Sequence, residues 1–146
     1  MHWTQDDFDS LSWHDNHVHG LRMVAGEGGA GELEFDIDHI LEWLESGASF
    51  RYRIAPALLR FHAVTDLRMA IDWGAASAAF GPFSIQGIER RLEPRSRYTA
   101  ICWRIPLNFP PGEIAFEGAG FDLRLSGSEV LVDHQCLTSI ERGRLR

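Results

Sequence analysis

Apolar and charged side chains alternate one for one along much of this chain, and that two-residue period restricts the fold. The clearest run is Glu32-Leu33-Glu34-Phe35-Asp36-Ile37-Asp38. In an extended strand successive side chains point to opposite faces. Leu33, Phe35 and Ile37 therefore belong to one face and four carboxylates to the other. One greasy and one wet face is the habit of an antiparallel sheet. Phe50-Arg51-Tyr52-Arg53-Ile54 repeats the pattern, and the spacing predicts that Arg51 and Arg53 face Glu34 and Asp36 across the sheet. Further alternating runs occur around Leu59–Ala63, Leu67–Ile71, Phe83–Ile85, Thr99–Ile105, Ile114–Phe116 and Phe121–Leu125, with a weaker one from Val130 to Leu137.

Turn residues separate several of these runs. Gly26-Glu27-Gly28-Gly29-Ala30-Gly31 follows the first strand, and Pro110-Pro111-Gly112, Gly118-Ala119-Gly120 and Ser126-Gly127-Ser128 punctuate the later ones. Short strands joined by such breaks predict an all-β, mainly antiparallel fold, either a two-sheet sandwich or a flattened barrel. One or two short helices are expected. Thr4 caps a turn through Ser10, and Ile40, Leu41, Trp43 and Leu44 fit one face of a helix from Asp38 to Glu45 unless the strand simply continues. No linker or repeat divides residues 1–146, so a single domain is expected.

The charge distribution sets the next limits. Net charge is −7, made of −10 over residues 1–50 and +3 over the rest. An acidic chain lacks the cations that neutralise phosphates, so nucleic acid is not an expected partner. No apolar window approaches the roughly 20 residues of a membrane helix, and the acidic start lacks the form of a secretory signal. A cytoplasmic location without membrane attachment is expected, with Cys102 and Cys136 as free thiols.

Three of the seven histidines lie in Trp13-His14-Asp15-Asn16-His17-Val18-His19-Gly20. His17 and His19 share a strand face by spacing, and two such rings suit one metal ion, with His14 or Asp15 as a third ligand. A metal-activated water would then support hydrolysis. The competing reading is ordinary sheet histidines preceded by an Asp15-Asn16 turn, continuing the face of Leu21 and Met23. Asp36, Asp38 and His39 form a second polar group, suited to a hard cation or to acid–base work; solvated strand carboxylates are the plainer reading. Of the five tryptophans, Trp43 and Trp73 flank turn-like stretches and are candidates for exposure, Trp43 as part of a binding surface. Gly26–Gly31 lacks the phosphate-loop pattern, no G-x-S-x-G or C-x-x-C occurs, and no cofactor is indicated.

The runs Trp13-His14-Asp15-Asn16-His17-Val18-His19-Gly20 and Leu33 to Trp43 resemble a family of small uncharacterised bacterial proteins. Ile54-Ala55-Pro56-Ala57, Phe116 to Phe121, Gln135-Cys136-Leu137 and Glu141-Arg142-Gly143 extend that resemblance along most of the chain. It implies no particular activity and transfers no catalytic residue. A narrower resemblance, limited to the His14-Asp15 pair, is to immunity proteins of bacterial toxin systems. The expectation is a non-enzymatic binding or accessory domain, with Trp13, His14, Asp15, His17, His19, Asp36, Asp38 and Trp43 as the candidate binding residues. In the immunity version, the acidic strand face meets a basic nuclease. The alternative is a metal-dependent hydrolase on His14, His17 and His19. An unidentified protein partner fits the first reading, and a third reading is homo-oligomerisation through an edge strand or an exposed Trp surface.

Overall fold

The computed structural model describes residues 1–77 and 79–143. Ten strands lie among them: β1 (His2–Thr4), β2 (His17–Ala25), β3 (Gly31–Ser46), β4 (Ser49–Ile71), β5 (Phe83–Ile85), β6 (Glu89–Pro94), β7 (Thr99–Phe109), β8 (Gly112–Glu117), β9 (Gly120–Leu125) and β10 (Val130–Val132). Every pairing is antiparallel. β3 pairs with β4, β4 with β8, β8 with β7, β7 with β5, β5 with β2, and β2 with β3 again. This ring is a flattened barrel. β9 and β10 flank β4, β1 extends β9, and β6 extends β7.

β4 holds the ring together because it bends. The runs expected as three strands, ending at Ile54, Ala63 and Ile71, are one strand of 23 residues. Ala63 and Asp66 take positive φ (52° and 56°), and the pairing with β8 shifts between Thr65 and Arg68. Such irregularities increase local twist and turn a strand from one layer into another. The first part of β4 pairs with β9, and the last with β8.

Leu33, Phe35 and Ile37 are buried as the period requires, facing Phe61, Leu59 and Ala57 of β4. Phe61 lies at the centre of the interior, with Phe116 at 4.8 Å, Trp103 at 5.2 Å and Phe121 at 5.6 Å between ring centroids. Aromatic edge-to-face contacts of this kind add to area burial.

Helix is confined to 3-10 turns among the described residues. Thr4 caps Gln5–Ser10 with a reciprocal capping box through Asp7. The helix expected over Asp38–Glu45 does not form, because β3 continues through Ser46 against β4. The expected facing of Arg51 and Arg53 with Glu34 and Asp36 also fails: Glu34 faces Arg60, Asp36 faces Leu58, and Arg53 faces Glu42. A register is fixed by which side chains the core accepts, not by charge pairs worth only tenths of a kcal/mol. None of the described helices is long and apolar enough to cross a membrane.

Candidate functional site

Three segments meet on the outer face of the β2–β3–β4 sheet. β2 supplies His17 and His19, β3 supplies Asp36 and Asp38, and the chain beyond β10 supplies Cys136, Leu137 and Arg142.

The turn before β2 sets the local geometry. Asp15 takes φ of 64°, a conformation that Asp tolerates better than most residues. Asn16 is fully buried there. Its amide donates to Nδ1 of His39 at 2.9 Å, and its carbonyl oxygen accepts from the backbone of Ile40 at 3.2 Å. His39 lies on the inner side, between Trp3 and Trp13. Burial pushes its pKa down to about 4, and the Asn16 donor occupies the nitrogen a second proton would need.

Next, β2 bulges at His19. His17 pairs with Asp38 and Val18 with Ile37, but Gly20 pairs with Asp36. The extra residue reverses parity, so Val18 and Leu21 both turn inward although they are three positions apart. Met23, expected on the histidine face, is exposed. The bulge aims His19 at Asp38, with Nε2 2.6 Å from Oδ2.

Asp38 was expected in solvent with its row of carboxylates, and it has no exposed surface. The C-terminal segment covers it. Leu137 packs against Ile40 and Ile54, and its backbone N–H donates to Oδ2 of Asp38 at 2.8 Å. Arg142, itself buried, donates to Oδ1 of Asp38 and to Oδ1 of Asp36. A buried carboxylate persists only when paired and hydrogen-bonded in this way. Burial works against a charged His19, but the hydrogen bonds that its ring makes with Asp38 and Cys136 and the charge of Asp38 outweigh it, raising its pKa to about 9. His17 shifts the other way: burial lowers its pKa, against the opposing hydrogen bond with the Asp15 carbonyl.

The remaining acidic residues of β3 are also paired. Glu34 is buried against Arg60 at 2.7 Å and Arg22 at 3.2 Å, and Glu32 lies 3.2 Å from both Arg60 and His62. Beside this network a groove of about 770 Å³ crosses the three strands. Gly20, Leu21, Pro56 and Leu58 form its less polar part; Arg22, Glu34, Asp36, Arg60 and Arg142 bring charge of both signs.

The other candidate residues take separate places. Trp13 is in the core, 5.6 Å from Phe121. His14 is more than half exposed, paired with Asp15 and 6.1 Å from Trp43. Trp43 is exposed as expected, edge-on to Tyr52. Asp15 accepts from Asn108 and Gln135. The structure thus brings His19, Asp36 and Asp38 together and leaves His14 and Trp43 at the surface. Sequence reasoning did not place Arg142, Cys136, Leu137 or Asn16 in a site. Cys136 and Arg142 lie outside the regular alternation, so the strand period gives no signal of their place.

Cys136 Sγ lies 3.9 Å from Nε2 of His19. A cysteine–histidine–aspartate relay needs the two ring nitrogens to serve different partners. Here thiol and carboxylate converge on the same nitrogen, so this geometry is not that relay. Comparison of the chain with protein families, with curated proteins and with solved structures finds no match.

Proposed function

We propose that this chain is a non-enzymatic binding domain and that the groove on the outer face of β2, β3 and β4 receives an extended segment of a protein partner. The observation that carries this reading is the groove itself, about 770 Å³ and flanked by guanidinium and carboxylate groups above Pro56 and Leu58. Mixed charge along an open trough suits a polypeptide, which offers both signs and apolar side chains within a few residues. The clustered polar groups support binding over catalysis. Asp38 and Asp36 both accept from Arg142, and His19 is held protonated by Asp38.

Two narrower versions have less support. The immunity version relies on a free acidic strand, whereas Glu32, Glu34, Asp36 and Asp38 each have a cationic partner within the chain. The hydrolase version relies on His14, His17 and His19 around one metal. His14 turns to Asp15 and Trp43, and Nδ1 of His17 faces the Asp15 carbonyl at 3.1 Å.

Panning a displayed peptide library on the wild-type protein, with Leu58→Trp filling the groove as the control, tests the proposal. Enriched peptides are expected to bind Leu58→Trp at least about tenfold more weakly, a loss above 1 kcal/mol. Enriched peptides that bind both proteins equally, or no enrichment, would overturn it.

A further inference from the structure

Two acceptors converge on one nitrogen at this site, and a proton serves only one of them. Nε2 of His19 lies 2.6 Å from Asp38 Oδ2 and 3.9 Å from Cys136 Sγ. The three donor atoms lie within 4.8 Å of one another. An N–H aimed at the carboxylate at 2.6 Å does not also point at the thiol at 3.9 Å. A single cation among the three would be bound by all of them.

We propose that His19, Asp38 and Cys136 form a zinc-class metal site that fastens the C-terminal segment to the sheet. The donor set selects the ion. Imidazole with thiolate favours a borderline-soft divalent ion such as zinc and disfavours magnesium or calcium. Charge balances locally, because the thiolate and Asp38 neutralise two positive charges while Arg142 remains with Asp36. Asp38 is already oriented: Arg142 holds one oxygen, and the Leu137 N–H donates to the other. Outer contacts of this kind fix metal ligands in place.

The scaffold allows the adjustment a metal requires. Zinc bond lengths of about 2.0–2.3 Å place tetrahedral ligand atoms roughly 3.3–3.6 Å apart, so His19 and Asp38 separate by less than about 1 Å. His19 is the extra residue of the bulge, outside the regular ladder, and Cys136 lies beyond the end of β10. With Asp38 fully buried beneath Leu137, the ion would tie this segment to the sheet, and a water would complete the three protein ligands to four. This inference is independent of the groove reading.

Untagged protein stripped with a chelator is titrated with cobalt, followed by the thiolate-to-cobalt absorption, and then with zinc in competition. The wild type, Cys102→Ser and His14→Gln are expected to give a saturable band that zinc removes. Cys136→Ser is expected to lose the band, and both it and His19→Gln to bind at least about 100-fold more weakly. Zinc should raise the Tm of the wild type and not that of Cys136→Ser. Cys136→Ser exchanges one small atom, so it carries the test even if His19→Gln does not fold. No saturable band in the wild type, or a band that survives in Cys136→Ser, would overturn the proposal.

Discussion

Phe35 and Glu34 are consecutive residues on opposite faces of β3, and the cost of removing each follows from what its side chain touches. Phe35 is 2% exposed and packs 6.0 Å from Phe61, so Phe35→Ala should lose about 3–5 kcal/mol through transfer and cavity terms. Glu34 lies on the face that the period assigns to water, where alanine would cost no more than about 0.5 kcal/mol. The structure raises that expectation. Glu34 is 6% exposed between Arg60 and Arg22, and Glu34→Ala should cost about 1–2 kcal/mol, because hydrogen bonds to charged groups are worth more than neutral ones. Urea denaturation of both variants measures the difference; a Glu34→Ala loss below about 0.5 kcal/mol would return that side chain to solvent. Leu33, Phe35 and Ile37 were legible because the period states their face directly. Glu34 and Asp38 were misread because a period says which side a residue faces and not what later covers it.

The pairing of β2 with β3 carries two histidines that titrate in opposite directions. Unfolded, each has a pKa near 6.5; folded, His39 is at about 4 and His19 at about 9. The unfolded chain therefore takes up the His39 proton first as pH falls. That contribution is complete above pH 6.5 and is lost as pH drops toward 4. The folded chain holds the His19 proton longer as pH rises, so its contribution is complete below pH 6.5 and is lost as pH climbs through 9. In chelator-treated protein, stability should peak near pH 6.5; the acid arm should fall by up to about 3 kcal/mol at its far end, and the alkaline arm by less, because His19 is partly solvated. Thermal melts across pH 4–9 check this, and His19→Gln should flatten the alkaline arm alone. At this scale the alternation marks the strands but not their junctions. One bulged residue reverses the parity of β2, and β4 runs unbroken through three expected strands, bending at Ala63 and Asp66 between the last two. Residue composition around these positions is ordinary, so the core decides where the ladder slips. The helix over Asp38–Glu45 was a fair reading of Ile40, Leu41, Trp43 and Leu44, and long-range pairing with β4 overrode it.

The whole molecule is a closed ring of strands with its C-terminal segment folded back over the outer face. That return brings residues about a hundred positions apart into one buried network, and it forms one wall of the groove. The all-β class was legible from the alternation. The closure was not, because Leu137 and Arg142 lie past the last regular strand, where no period reports a contact. Closure depends on the Asp38–Arg142 pair holding this segment down, and a double-mutant cycle tests that most directly. Asp38→Asn, Arg142→Met and the double variant are measured by urea denaturation. Each single change leaves a buried group without its partner and should cost about 3–5 kcal/mol. The double change should cost less than their sum by at least about 2 kcal/mol. Additive losses, or an Arg142→Met protein as stable as the wild type, would contradict the closure described.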